Sequence, residues 1–364
     1  MKDESEFKIT LKLEDLSGCP DTLIEAARSA AVEANKAEDE YVITLSRSLV
    51  EPFLTFSDRR DLREKAWSAW CKRGELDPSR NNKAIAEEQL QLRLQQAKMH
   101  GYASFAHYQT ADMMAKTPTA VNELLENVWN KAKVSANRER EALEEYIKEV
   151  NNGESFTIEA WDWRYYAEKV RQSKFNFDES ALKPYFSLDK ITSAVFDTAF
   201  KLYGLTYHEL PDVTLYHPDA KLYEVKEGDK LIALFIHDNY ARQYKSSGAW
   251  MSEYRGQTKN LLPGANEYQG IPIISNNNNF AKAENTLLSF DDAITLFHEF
   301  GHGLHGTLSN TQYGRLAGTN VLTDFVELPS QLMEHWVSRD MSFSLLIPLS
   351  LSLSISLSIF YIDR

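Results

Sequence analysis

Apolar residues recur every three or four positions from about residue 20 to residue 203, which is the spacing of one helix face. In TPTAVNELLENVWNKAK, Thr117 can cap the helix and Pro118 suits its first turn. The apolar stripe of this helix comprises Val121, Leu124, Leu125, Val128 and Trp129. A second stripe comprises Ala86, Leu90 and Leu94, ahead of a stop at Gly101. We expect residues 1–204 to form a helical region in which these stripes pack into a core.

The pattern changes to short strands after Leu205. AKLYEVKEGDKLIALFIHDN, residues 220–239, predicts two strands around the turn KEGD, and GIPIISNNNNF, residues 270–280, predicts another. We expect the polar end of that last run, SNNNNF, to be a loop. Residues 205–340 are therefore predicted to contain a small sheet and the helix described next. The predicted fold class is mainly α, with a small β-sheet beside that helix.

The segment FDDAITLFHEFGHGLHGT predicts a helix that carries candidate metal ligands. Ser289 precedes it and Asp292 follows three residues later, the spacing of a capping box. His298 and His302 are four residues apart, so both project from one face, close enough to share one ion. Glu299 lies one position round the helix, able to reach a water molecule near the ion without binding the ion itself. This is the H-E-x-x-H arrangement of a zinc-binding helix.

A third ligand is required, and the residues leave its identity open. His305 shares the face of the two histidines, but three consecutive turns of a straight helix cannot converge on one tetrahedral ion. We therefore expect His305 to pack nearby or to contact a metal ligand without binding the ion itself. GTNVLTDFVELPSQLMEHW, residues 318–336, offers Glu327 and Glu334. Spacing alone does not decide between these two carboxylates.

Composition narrows the function classes. The chain has 364 residues, 43% of them apolar and 26% charged, as in globular proteins, and its net charge of −13 disfavours nucleic-acid binding. Cys19 and Cys71 lie too far apart in sequence to suggest a disulfide scaffold, which fits a reducing compartment. No apolar signal-like run opens the chain. We expect a cytoplasmic protein, or one of an organelle matrix if a targeting segment is missing. Arg242 and Lys245 could contact a peptide carboxylate, but we expect them to lie on the solvated surface.

The zinc segment, LFHEFGHGLHG followed by DFVELPSQLMEHW, resembles the thimet oligopeptidase family of zinc metallopeptidases. The likeness extends upstream through AKTPTAVNELLENVW, AWDWRYYAEKVRQSKFNFDESALKPYFSL, LYHPDAKLYEV and KSSGAWM, and is strongest to the bacterial-type peptidyl-dipeptidase branch. It covers about residues 8–337. The resemblance implies a mostly helical fold around a deep channel, with a small sheet near the zinc, so that this chain would be a helical metallopeptidase lobe. Residues 1–204 would then form part of the channel wall, and residues 205–340 would form the catalytic zinc region.

The resemblance also implies a ligand set and a reaction. His298, His302 and Glu327 would hold one zinc ion, and Glu299 would act as general base in the hydrolysis of short peptides, either internally or by release of C-terminal dipeptides. The expected partners are peptides, without nucleic acid or membrane, and we expect a monomer. In the family, a further helical stretch supplies substrate-binding side chains, and the resemblance stops near Val337. The alternative is therefore a zinc-binding fragment with impaired turnover.

The last residues, 341–364, have a composition unlike the rest. From Leu349 to Ile359, apolar residues alternate with serine, and no charge occurs between Met341 and Ile362. A membrane span would be ringed with hydroxyl groups, and a strand would need a sheet edge to join. A simple TC repeat in DNA encodes alternating serine and leucine. We favour this third interpretation, an aberrant low-complexity tail read from repeat nucleotide sequence.

Overall fold

The computed structural model describes residues 6–175, 185–242, 245–260, 270–280, 282–283 and 285–337. Their contacts divide them into two compact units. The first unit comprises the described residues up to 175 apart from 112–114, and the second comprises 112–114 with the described residues from 185 onward. The domain boundary that we expect at residue 204 stays a prediction.

Helices make up most of the first unit. They are α1 (Asp21–Glu33), α2 (Arg47–Phe56), α3 (Arg60–Cys71), α4 (Lys83–Met99), α5 (Phe105–Thr110), α6 (Pro118–Val150) and α7 (Ala160–Phe175). Strands β1 (Lys8–Leu11) and β2 (Tyr41–Thr44) form an antiparallel pair beside them. Phe53 and Leu54 of α2 pack in the core that this pair covers. The fully buried Asp162 accepts hydrogen bonds from Arg60 and Arg63, and this pairing joins α3 to α7.

The apolar stripes of α4 and α6 are exposed, so the prediction that they pack into a core is wrong for the described chain. Leu124 is 66% exposed, Trp129 60% and Leu90 65%. The buried residues of α6 lie at its other end, at Leu143 and Ile147. Periodicity shows that a helix has an apolar face, but burial also requires an element opposite that face. None of the described elements covers these two stripes.

The described part of the second unit contains a mixed sheet and three α-helices. Its elements are α8 (Leu188–Tyr203), β3 (Leu205–Glu209), β4 (Lys221–Glu227), β5 (Lys230–Tyr240), β6 (Trp250–Arg255), β7 (Ile273–Phe280), α9 (Phe290–Thr307) and α10 (Glu327–Glu334). The strand order is β3-β4-β5-β7-β6, in which β5 and β7 are parallel and the other pairs are antiparallel. The predicted fold class, mainly α with a small sheet beside the H-E-x-x-H helix, is confirmed.

The run SNNNNF is part of strand β7, so the prediction of a loop is wrong. Asn276, Asn277 and Asn278 are buried, and the sheet supplies acceptors for the side-chain amides of the last two. Asn277 donates to the carbonyl of Trp250 at 3.2 Å, and Asn278 donates to Asn239 Oδ1 at 2.9 Å. Polar side chains that find such partners can occupy a strand covered on both faces. The polarity of the run is therefore compatible with a strand and does not by itself indicate a loop.

Helix α9 lies close against this sheet because two glycines leave room for it. A Cβ at Gly303 would lie 3.0 Å from Asn276 Oδ1, and a Cβ at Gly306 would lie 2.6 Å from Ile274 Cδ1. Both neighbours belong to β7. The small residues on this side of α9 thus let the H-E-x-x-H helix sit directly on the sheet, which fixes the direction in which its other faces point.

Among the described residues, no helix has the length and apolarity that a membrane crossing requires. The tail for which we favour a repeat-derived origin, residues 341–364, lies outside the described residues.

Candidate metal centre

The helix that carries the candidate ligands begins as its sequence predicts. Ser289 Oγ accepts the backbone N–H of Asp292 at 3.1 Å, and Asp292 Oδ2 accepts the backbone N–H of Ser289 at 3.0 Å. This capping box satisfies donors at the positive end of α9. Four residues apart on the helix, the rings of His298 and His302 stand with their centroids 5.0 Å apart. The helix therefore presents two imidazoles on one face.

Glu327, the first residue of α10, faces both imidazoles. Its Oε2 lies 3.2 Å from His298 Nε2 and 3.1 Å from His302 Nε2. Zinc bonds of about 2.0–2.1 Å at tetrahedral angles place neighbouring ligand atoms roughly 3.3 Å apart. The ligand atoms of these three residues all lie within 4.8 Å of one another. The donor set and its spacing therefore fit one zinc ion.

Gly301 allows α10 to approach α9 closely enough for this arrangement. A Cβ at Gly301 would lie 2.6 Å from Ser330 Cα and 2.7 Å from the carbonyl oxygen of Pro329. Both are backbone atoms, so they cannot move aside by side-chain rotation. The glycine inside the H-E-x-x-H motif is thus the residue that lets Glu327 reach the histidines. The ligand spacing in the sequence does not point to this glycine, although a glycine in the middle of a helix is itself a signal of close packing.

The protonation states of the cluster suit a cation. Ser330 Oγ donates to Glu327 Oε2 at 2.8 Å, and this hydrogen bond, with the nearby histidines, lowers the pKa of Glu327. Burial lowers the pKa of His302 and so favours its neutral imidazole. A carboxylate and a neutral imidazole are the forms that bind metal ions.

Glu334, the other carboxylate left open by spacing, contacts the opposite nitrogen of a histidine. Its Oε1 lies 2.6 Å from His298 Nδ1. In this geometry the ring N–H at Nδ1 donates to the carboxylate, and the lone pair of Nε2 points toward Glu327. Histidines that bind metals commonly donate the N–H of their second ring nitrogen to a carboxylate, and this hydrogen bond fixes the orientation of the ring. The structure thus separates the two glutamates: Glu327 joins the cluster, and Glu334 positions His298.

Glu299 lies beside the cluster but is not part of it. It is only 6% exposed, and its Oε2 has no hydrogen-bond partner among the described residues. Burial raises the pKa of Glu299 to about 7, and the charge of Glu327 adds to this effect. A carboxylate whose pKa lies close to neutral pH can accept a proton and release it again. Such a group next to a metal site suits general base chemistry.

His305 lies apart from the three-residue cluster, as the packing argument predicts. Its ring stands 6.4 Å from that of Phe325, edge to face, and burial lowers its pKa. The contact with Phe325 therefore assigns His305 a role in packing.

Arg242 and Lys245 do not behave as solvated surface residues, so that expectation is wrong. The two terminal nitrogens of Arg242, Nη1 and Nη2, donate to the Asp238 carboxylate at 2.7 Å, and Lys245 Nζ donates to it at 3.0 Å. The Lys245 side chain is 4% exposed, and Asp238 is 1% exposed. The hydroxyl of Tyr216 donates to the same carboxylate at 2.9 Å. These partners around the buried Asp238 tie the segment that follows β5 to the sheet.

Comparison with known proteins identifies the family of this chain. Residues 53–346 match the family described as peptidase family M3, and the chain belongs to that family. It is 37% identical over 329 residues to dipeptidyl carboxypeptidase of Salmonella typhimurium, covering 89% of this chain. It is 33% identical over 328 residues to oligopeptidase A of Escherichia coli, covering 88% of this chain. Saccharolysin of Saccharomyces cerevisiae is 26% identical over 347 residues, covering 92% of this chain. The family resemblance stated from the motifs is confirmed.

The three alignments cover 47%, 48% and 48% of those relatives, respectively. The chain therefore spans about half the length of the relatives it matches.

Proposed function

We propose that this chain is a zinc metallopeptidase that hydrolyses short peptides. His298, His302 and Glu327 hold one zinc ion, and Glu299 is the general base. The observation that carries the proposal is the convergence of three ligand atoms within 4.8 Å of one another, beside the buried Glu299 carboxylate. Oε2 of that carboxylate has no hydrogen-bond partner within the described part of the chain. Zinc in such a site supplies Lewis-acid chemistry, which acidifies water and polarises a carbonyl group.

The protein side chains have separate roles in this reaction. Glu299 accepts a proton from the attacking water and passes it to the nitrogen of the leaving amine, so the carboxylate ends each cycle unprotonated. Glu334 holds His298 in the tautomer that keeps Nε2 available to the ion. Ser330 holds Glu327 through its hydroxyl. Hydrolysis adds the oxygen of one water molecule to the carbonyl carbon and a proton to the amide nitrogen, so that the products are a carboxylate and an amine.

The sheet supports a peptide as the substrate. Strand β6 lies at one end of the strand order and pairs with β7 on a single side. The edge of a sheet can bind an extended peptide as an additional strand through main-chain hydrogen bonds. Glycines 303 and 306 place α9 directly against β7, so a peptide along β6 would run close to the zinc helix. We propose hydrolysis of peptides internally or with release of C-terminal dipeptides, the latter by analogy with the dipeptidyl carboxypeptidase relative.

The test combines metal content with cleavage of a short internally quenched peptide. The chain should retain one zinc per molecule after dialysis and should cleave the peptide. Glu327→Ala should lose zinc, whereas His305→Ala, the matched control on the same helix face, should retain it. Glu299→Gln should retain zinc and lose roughly 10²–10⁴-fold in cleavage rate, because an amide cannot accept the proton. Loss of zinc in His305→Ala with retention in Glu327→Ala would show that the ligand assignment is wrong.

The zinc-binding alternative without turnover is an outcome of the same test. Stoichiometric zinc with no cleavage of any peptide would support it and overturn the proposed activity.

A further inference from the structure

A second polar site lies along strand β6. A cavity of 610 Å³ opens between this strand and the segment that connects α9 to α10. This volume falls within the range of about 300–1,000 Å³ that is typical of ligand pockets. The residues that line it are Met251, Glu253, Gly256, Thr258, Asn260, Gly314, Thr319 and Asn320. Glu253 is the one charged residue among these.

Three glycines surround the carboxylate of Glu253. A Cβ at Gly318 would collide with this carboxylate, one at Gly306 would lie 3.1 Å from Oε1, and one at Gly256 would lie 3.3 Å from Oε2. The three glycines come from separate parts of the second unit, one from α9 and two from the segments on either side of the cavity. Their lack of side chains leaves a recess in which a glutamate side chain can lie half-buried.

Glu253 lacks a basic partner among the described residues. Burial raises its pKa, and a hydrogen bond from the backbone N–H of Thr319 opposes that rise, with no contribution from a lysine, arginine or histidine. A half-buried carboxylate that has lost part of its hydration is stabilised by any cation that reaches it. The cavity therefore offers a ligand a carboxylate that has no counter-ion among the described residues.

The position of the cavity relates it to the candidate metal centre. Gly306, which touches the Glu253 recess, follows His302 by four residues on α9, or about 6 Å along the helix axis. Met251 and Glu253 alternate on β6, so they project on the same side of the strand. A peptide lying along the β6 edge would therefore place one of its side chains in this cavity while its backbone passes the zinc helix.

We propose that this cavity is a substrate subsite for a lysine or arginine side chain, with Glu253 as its counter-ion. The inference rests on the proposed peptidase function and adds a specificity to it. Met251 provides an apolar surface for the aliphatic stem, and Asn260, Thr319 and Asn320 provide polar neighbours for the charged end. A bound divalent metal fits less well, because such ions take several oxygen ligands and one carboxylate lines this cavity.

The experiment measures binding, so that it does not depend on turnover. Zinc-loaded Glu299→Gln chain is titrated with labelled short peptides that are identical except for lysine or norleucine at one position, scanned along the peptide. At one position the lysine peptide should bind roughly 10-fold or more tightly, as expected for a charge-assisted hydrogen bond in a half-buried site. Raising the salt concentration should reduce this preference.

Variants at Glu253 locate the preference. Glu253→Gln keeps the side-chain shape and should abolish the preference for the lysine peptide. Glu253→Lys should reverse this preference in favour of a peptide with glutamate at that position. Glu224→Gln, on β4 of the same sheet, is the matched control and should keep the preference. Glu224 is also half-buried, and its carboxylate lies 2.6 Å from Lys226 Nζ. Thermal unfolding of each variant verifies that it is folded.

The outcomes separate this inference from the proposed function. Binding of the norleucine peptide without any lysine preference, or a lysine preference that survives in Glu253→Gln, overturns the subsite and leaves the peptidase proposal standing. A failure of every peptide to bind overturns the subsite, and the zinc and cleavage measurements on the unmodified chain then decide the peptidase proposal separately.

Discussion

Gly301→Ala tests whether the contact between α9 and α10 determines metal binding. The added Cβ would lie 2.6 Å from Ser330 Cα, whereas carbon atoms in contact are about 3.5–4.0 Å apart. The two helices must therefore separate by roughly 1 Å, since the opposing atoms belong to the backbone. Glu327 begins α10, three residues before Ser330, and moves with it. Metal–ligand bond lengths vary by only about 0.2 Å, so a carboxylate displaced by more than this cannot bind the ion with the same strength.

Two effects of this substitution oppose each other in the metal-free protein. Alanine is favoured over glycine inside a helix by about 1 kcal/mol, whereas overpacking costs about 1–3 kcal/mol. The free energy of unfolding of the metal-free chain should therefore fall by roughly 0–2 kcal/mol. Zinc affinity should fall by at least roughly 10–100-fold, the cost known for disturbing groups that orient metal ligands. The larger effect is thus expected on the metal.

Zinc affinity is measured by competition with a chromophoric chelator, and stability by urea unfolding in the presence of EDTA. Gly314→Ala is the control, because its Cβ would make an ordinary contact of 3.4 Å with Thr258 Cβ. That variant should bind zinc as the unmodified chain does. Unchanged zinc affinity in Gly301→Ala would refute the argument that close helix contact places the third ligand.

Four further predictions concern other parts of the chain. Glu334→Gln should weaken zinc binding roughly 10–100-fold in the chelator assay, because it removes the carboxylate that orients His298. Peptide cleavage should decline as pH falls through a pKa at or below 7, since burial raises the pKa of Glu299 to about 7 and bound zinc would lower it; a pH–rate profile measures this. The ion pairs of Asp238 lower its pKa from 3.8 to about 2, so they should contribute about 2 kcal/mol of stability above pH 4. That contribution should disappear as pH falls toward 2, so the difference in unfolding free energy between the unmodified chain and Asp238→Asn should narrow over this range. Leu125→Glu, on the exposed stripe of α6, should change the unfolding free energy by less than about 0.5 kcal/mol and reduce binding of a hydrophobic dye.

The sequence by itself determined the local features of this protein. The cap of α6 is the predicted one, with Thr117 Oγ1 accepting the N–H of Ala120 at 3.2 Å, and the capping box of α9 is also as predicted. These features depend on residues three or four apart, whose geometry a helix fixes. The same reasoning brought His298 and His302 to one face. Local spacing was sufficient because one element supplies all the atoms involved.

Tertiary structure decided everything that depends on a second element. The choice between Glu327 and Glu334 required the approach of α10 to α9, and the exposure of the α6 stripe required knowledge of what lies opposite it. The burial of the asparagines in β7 depended on partners in β5 and β6, and the pairing of Lys245 depended on Asp238. In each case the sequence supplies the chemical group, but the free energy of burying or pairing that group depends on neighbours distant along the chain. Hydrophobic periodicity does not specify these neighbours.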